Sequence, residues 1–110
     1  MRSLHAHGFG RIHSSAEIQT NNDGNQFLLM AVEFEDRILT KTSKLYSQRV
    51  TFRSFDTLDM DRVADLTAGR WVVIDGTCDA VAEKSENGWW YANPRVTGRV
   101  HQIVNVDPHV

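Results

Sequence analysis

From Arg37 to Arg53 the chain carries five cations, Arg37, Lys41, Lys44, Arg49 and Arg53, and no acid. Acids gather just beyond it, at Asp56, Asp59, Asp61 and Asp65. On a chain of net charge −2, such segregation gives one basic face and one acidic element elsewhere. The chemistry open to the basic stretch is the neutralisation of an extended anion. Its plain alternative is a solvated loop of charged side chains. Aromatic residues lie within and beyond the stretch: Tyr46, Phe55, Trp71, Trp89, Trp90 and Tyr91. Their flat faces suit stacking on other rings, although a tryptophan is by default at least half buried.

Other reactive residue types lead nowhere as clear. His5 and His7 share one face of an extended segment, with His13 further along, but no third metal ligand is indicated. They read as surface polar positions, and no metal site is expected. Gly8-Phe9-Gly10 is too short for a phosphate-binding loop and no helix follows it. The single cysteine, Cys78, falls in a core-facing register and reads as inert. No nucleophile motif, ligand cluster or acid–base pair emerges, so neither an enzyme nor a cofactor is expected.

The elements that must position these residues follow from period and punctuation. Leu4 to Thr20 reads as a long strand that bends at Gly8 and Gly10. Asn21-Asn22-Asp23-Gly24-Asn25 is the strongest turn, since these residues accept the positive φ of tight hairpins. Phe27 to Phe34 is a strand with Leu28, Met30, Val32 and Phe34 on one face and Phe27, Leu29, Ala31 and Glu33 on the other. Both faces are largely apolar, so one is a candidate for cover by ligand or by a partner subunit. Glu35 to Ser47 reads as a long loop or hairpin. In Arg49 to Phe55, Val50 and Phe52 point one way, and Arg49, Thr51, Arg53 and Phe55 the other.

Thr57 to Ala68 is the one good helix, capped by Asp56, Thr57 or Asp59 and closed by Gly69. Met60, Val63, Ala64 and Thr67 would form its apolar stripe. Trp71 to Val81 is a strand with Val72, Ile74, Gly76 and Cys78 on one face, which puts Trp71 on the other, at the surface or in a groove. A hairpin over Glu83–Gly88 leads into a last strand from Trp89 to Ile103, with Pro94 at an edge or bulge. Trp89 and Trp90 must face opposite sides, so one is expected in the core. Trp89 and Tyr91 are taken as the exposed pair.

At 110 residues one domain is expected, spanning 1–110. No apolar run reaches the roughly 18 residues of a membrane span, and the start lacks the apolar core of a signal peptide. The expectation is a soluble cytoplasmic protein with no membrane partner.

Strand, strand, strand, helix, strand, strand is the order of a five-stranded OB barrel, an all-β fold with one short helix between strands 3 and 4. Three patterns then resemble the single-stranded DNA-binding proteins of bacteria and phages. Gly10-Arg11-Ile12, Glu17-Ile18 and Gly24 resemble the family's first strand and turn. Gly69-Arg70-Trp71-Val72-Val73-Ile74-Asp75-Gly76 is similar to its fourth strand, and Tyr91 with Arg99-Val100-His101-Gln102-Ile103 to its last. The resemblance implies binding in which bases stack on aromatic rings while Lys and Arg neutralise phosphates, tolerant of sequence because every base has a π face. It places DNA contacts at Arg37, Lys41, Lys44, Tyr46, Arg49, Arg53, Phe55, Trp71, Trp89 and Tyr91.

The match has departures. Ser47, Arg53 and Glu83 stand where the family usually has stacking aromatics. The acidic C-terminal tail of bacterial members has no counterpart after Asp107-Pro108-His109-Val110, so no tail is expected. The implied function is non-specific single-stranded DNA binding in replication, recombination or repair, in a phage or bacterium. A homodimer or homotetramer would meet at the first strand, with replication proteins as further partners. The alternative is an OB-fold interaction module of a replication complex, similar to the primosomal proteins, whose ligand is another protein.

Overall fold

The structure, a computed structural model, describes residues 4–36 and 46–104. In chain order it contains β1 (Leu4–Thr20), β2 (Gln26–Asp36), β3 (Tyr46–Ser54), α1 (Thr57–Asp61), a 3-10 turn (Val63–Asp65), β4 (Trp71–Lys84) and β5 (Trp90–Val104). The strands close into a barrel in the order β1-β2-β3-β5-β4. Every neighbouring pair is antiparallel except β3–β5, a parallel seam of Thr51–Arg53 against Arg95–Thr97. This is the OB fold.

Alternation along the strands builds the interior. Ile12, Leu28, Met30, Val32, Val50, Phe52, Val72, Ile74, Val96 and Val100 fill the barrel, with Leu66 beneath them from the connection before β4. The β1–β2 hairpin turns where the Asn-rich segment demands it. Asn21 Oδ1 accepts from the backbone N–H groups of Asp23 and Asn25 at 3.0 and 2.9 Å, and Gly24 takes φ 83°.

β1 serves two neighbours, pairing with β4 from Leu4 to Arg11 and with β2 from Arg11 to Thr20. Its irregularities lie between Ile12 and Ser14 and between Ser14 and Glu17, not at the glycines as the sequence suggests. Gly8 and Gly10 serve close approach instead. A Cβ at Gly10 would come within 2.7 Å of Val32 Cγ1 and 2.9 Å of the Glu33 carbonyl oxygen.

The helix is shorter than its apolar period suggests. α1 ends at Asp61, and Ala64 and Thr67 are exposed rather than part of a buried stripe. Two contacts stop it. Leu66 is drawn into the barrel, and its carbonyl accepts from Ala16 N at 2.8 Å. Gly69 N donates to the Ile12 carbonyl, and Ile12 N to that of Arg70, both at 2.8 Å. The segment 66–70 thus supplies partners where the bulged β1 would otherwise lack them.

Asp56 caps α1, its Oδ1 accepting from Leu58 N at 2.8 Å. Asp59 turns inward and is fully buried. Its carboxylate accepts from Ser54 Oγ at 2.6 Å, Val100 N at 2.9 Å and Arg62 Nη2 at 3.0 Å. Arg62 Nη2 also donates to the Val100 carbonyl at 3.0 Å. One carboxylate therefore ties the helix to β3 and β5.

Beyond Cys78 on β4 and before Arg95 on β5, these two strands pair only with each other among the described residues. They form a ribbon that extends from the barrel. Pro94 lies within it, at a strand edge, where a missing N–H costs least.

Candidate nucleic-acid interface

With Val50 and Phe52 in the core, Arg49, Thr51 and Arg53 of β3 point outward. β2 lies beside them in register, Leu29 opposite Arg53, Ala31 opposite Thr51 and Glu33 opposite Arg49. Phe55, just past the end of β3, is 43% exposed and pairs with Phe27 of β2 at 5.4 Å between ring centroids, tilted by 37°. The Arg53 guanidinium lies 5.7 Å from the Phe55 ring centroid. Two rings and a cation thus share one outer patch.

Across the parallel seam, Arg53 Nε donates to Thr97 Oγ1 at 3.0 Å. Next to it, Arg95 grips Asp79 with two hydrogen bonds, Nε to Oδ1 at 3.1 Å and Nη2 to Oδ2 at 2.8 Å. The hydrogen bonds from Arg95 hold the Asp79 carboxyl below the usual carboxylate range, and the pairing raises the Arg95 guanidinium in turn. For Arg53, partial burial lowers the guanidinium, repulsion from Arg95 adds to this, and Asp79 opposes it. Arg49 faces Glu33 at 3.8 Å. The face therefore offers Arg49, Arg53 and Arg95, with two carboxylates that partly offset them.

The ribbon continues from Arg95 and Asp79 to its tip, where Trp89 is 76% and Trp90 69% exposed. The expectation that one of them is core fails. Neighbours on a strand do face opposite sides, but a two-stranded ribbon outside the barrel has solvent on both. Trp71 also departs from its surface or groove assignment. It is 8% exposed and stacks on Phe9 at 5.0 Å and 16°. It lies on the outer surface, as its register requires, yet Phe9 covers it, and it belongs to the β1–β4 side of the barrel.

Of the sequence-derived contacts, the structure brings Arg49, Arg53 and Phe55 together on one side and sets Trp89 at the ribbon tip. Tyr46 opens β3 in register with Asp36, and Tyr91 stands opposite Glu83 in the ribbon. Arg37, Lys41 and Lys44 lie outside the described residues. Phe27 and Arg95 join this face, and Trp90 the ribbon tip, without having been singled out as contacts in the sequence. Phe27 was legible as part of an outer apolar row on β2. Arg95 needed the β3–β5 seam, which no local pattern announces.

The three histidines near the start are exposed, as read. His5 Nε2 approaches Asp75 Oδ1 to 2.7 Å, His7 Nδ1 stands 4.0 Å from the same oxygen, and His13 Nδ1 lies 3.7 Å from Glu33 Oε2. Among the described residues no group of three or more His, Cys, Asp or Glu is arranged to hold a metal ion.

No protein-family model matches the sequence, and no curated protein matches it either. Solved structures do. The small single-stranded DNA-binding protein of Streptomyces coelicolor superimposes with a TM-score of 0.72 at 13% identity, covering 94% of both chains. The Plasmodium falciparum protein SSB, solved in complex with single-stranded DNA, gives 0.69 at 15% identity over 96% of this chain and 98% of that one. The chain has the fold of single-stranded DNA-binding proteins. The mitochondrial single-stranded DNA-binding protein of S. cerevisiae gives 0.66 at 13% identity, over 90% of this chain and 92% of that one. On this single-stranded DNA-binding protein fold, the outer β2–β3 face and the β4–β5 ribbon form one surface, joined at Arg53, Thr97 and Arg95. Among the described residues no helix is long and apolar enough to cross a membrane.

Proposed function

We propose that the chain binds single-stranded DNA without sequence specificity, along the outer β2–β3 face and the adjoining ribbon. One observation carries the reading: Phe27, Phe55 and Arg53 cluster on one outer face, and Arg53 leads across the parallel seam to Thr97 and Arg95, so rings for stacking and cations for phosphates lie side by side. That is the pairing a sequence-tolerant single-strand binder needs. The reading includes a non-enzymatic role in replication, recombination or repair in a bacterium or phage. It also includes one OB domain, a cytoplasmic location and assembly as a homodimer or homotetramer. These finer points are supported by the family resemblance of the sequence.

Tryptophan fluorescence titrated with poly(dT) tests it, because Trp89 and Trp90 are exposed on the proposed path. Quenching is expected at low salt, weakening as salt rises with a log–log slope of about −3 if four phosphates are neutralised. Arg49→Ala combined with Arg53→Ala should weaken binding and flatten that slope by about 1.4. An unresponsive protein at low salt sinks the reading.

Asp79 gives the opposite effect. It occupies Arg95, so Asp79→Asn should free a cation on the path and tighten poly(dT) binding by roughly threefold at low salt. The carboxyl is depressed, so its pairing with Arg95 is complete above the ordinary carboxylate range and is lost as pH falls through the lowered value. The gain from Asp79→Asn should therefore vanish in strongly acidic buffer, where wild type has lost the pair as well. Equal affinities of variant and wild type at neutral pH would place Arg95 off the path.

The offset of the face by Glu33 and Asp79 favours a second reading, an interaction module of a replication complex whose ligand is protein. The same titration separates the two.

A further inference from the structure

Phe55 has a second neighbour besides Phe27. Where the β1–β2 turn meets the start of α1, the surface sinks into a hollow of about 610 Å³, lined by Thr20, Gly24, Asn25, Gln26, Phe55 and Met60. Small-ligand sites are commonly about 300–1,000 Å³ in volume. Here the ring of Phe55 and the thioether of Met60 supply apolar wall. The hydroxyl of Thr20 and the amides of Asn25 and Gln26 supply the polar part. None of the hydrogen bonds among the described residues engages those three side chains. They have donors and acceptors to offer.

The frame behind them is fixed before any ligand arrives. Asn21 N donates to the Asn25 carbonyl at 2.9 Å, Asn25 N donates to Asn21 Oδ1 at 2.9 Å, and Gly24 N donates to the Asn21 carbonyl at 3.0 Å. The turn backbone that carries Asn25 is therefore preorganised, which limits the backbone entropy lost on binding.

Resting on the single-strand reading above, we propose that this hollow receives one unstacked base of the bound strand. Phe55 and Met60 cover the base, and the amides of Asn25 and Gln26 read its edge. An amide presents a donor and an acceptor side by side, which matches the adjacent donor and acceptor on the edge of an unstacked base. An unstacked base exposes its edges to such contacts, as it does wherever proteins read single strands by sequence. A surface tolerant of sequence along its length thus discriminates between bases at one position.

The test uses the shortest dT oligomer that binds, with a single dA or a single abasic residue moved through every position. At one position the abasic residue should bind about tenfold less tightly than a base, and dA and dT should differ in affinity there, with smaller differences elsewhere. Asn25→Ala combined with Gln26→Ala should abolish the difference between dA and dT there. Asn25 ends the exposed turn and Gln26 opens β2, both with exposed side chains that lie outside the hydrogen-bonded frame, and circular dichroism checks that the variant folds. Discrimination equal at all positions, or position-specific but unchanged in the variant, overturns the proposal and leaves non-specific binding standing. Failure of every oligomer to bind overturns both.

Discussion

Asp59→Ala is expected to lower the unfolding free energy by about 3 kcal/mol, read as a fall in the urea midpoint at unchanged slope. The carboxylate has no exposed surface and accepts three hydrogen bonds, from Ser54 Oγ, Val100 N and Arg62 Nη2. Alanine leaves the Val100 N–H and the Ser54 hydroxyl buried without that acceptor, at about 1–3 kcal/mol for each group. Arg62 adds less, because it is partly in water and keeps the Val100 carbonyl. A small domain has only about 5–15 kcal/mol in total, so the loss is severe. Asp59→Asn should cost less, since its amide oxygen still accepts from Val100 N. A fall below about 1 kcal/mol for the alanine variant would mean that water replaces the carboxylate and that packing by Met60, Val63 and Leu66, with the Arg62 bond to the Val100 carbonyl, holds this segment.

Phe55→Ala is expected to weaken poly(dT) binding by about 1–3 kcal/mol, and adding Phe27→Ala should weaken it further. The ring is half exposed, lies beyond the end of β3 and packs on Phe27 rather than in the barrel core, so its removal leaves that core intact. Stability should change by less than about 1 kcal/mol. The salt slope is the discriminating measurement. No charge is removed, so the slope should match wild type while the affinity falls, the reverse of the pattern expected for Arg49 and Arg53. Wild-type affinity in Phe55→Ala would show that bases do not stack there.

Strand positions were the most legible part of the sequence. β1 was bounded at Thr20 because the Asn-Asn-Asp-Gly-Asn turn follows it, and the inward rows of β3 and β4 followed from strict alternation, whereas β2 offered two apolar faces. The helix was overextended because Met60, Val63, Ala64 and Thr67 keep a helical period. That period does not record the pull of Leu66 into the barrel or the demand of bulged β1 for partners. Asp59 looked like a capping residue, since its burial depends on Val100, 41 positions away. For Trp71 the face was legible, but the cover supplied by Phe9 depends on pairing between β1 and β4. Trp89 and Trp90 were assigned by a rule that presumes a core on one side, and the ribbon has none. Arg49, Arg53 and Phe55 needed only the alternation of β3. Phe27 and Arg95 join them solely through strands far apart in sequence.

The parallel seam has a kinetic consequence. Thr51–Arg53 and Arg95–Thr97 close the barrel through three register pairs, between segments separated by more than forty positions. Long loops must be ordered before such a contact is gained, so this zipper is expected to shut late in folding. The same short pairing would be an early point of rupture on the way out. Arg53 and Thr97 stand on either side of it, joined by a hydrogen bond. A strand of DNA lying over both would fasten the barrel where it opens, and binding would then slow unfolding as well as stabilise the folded state.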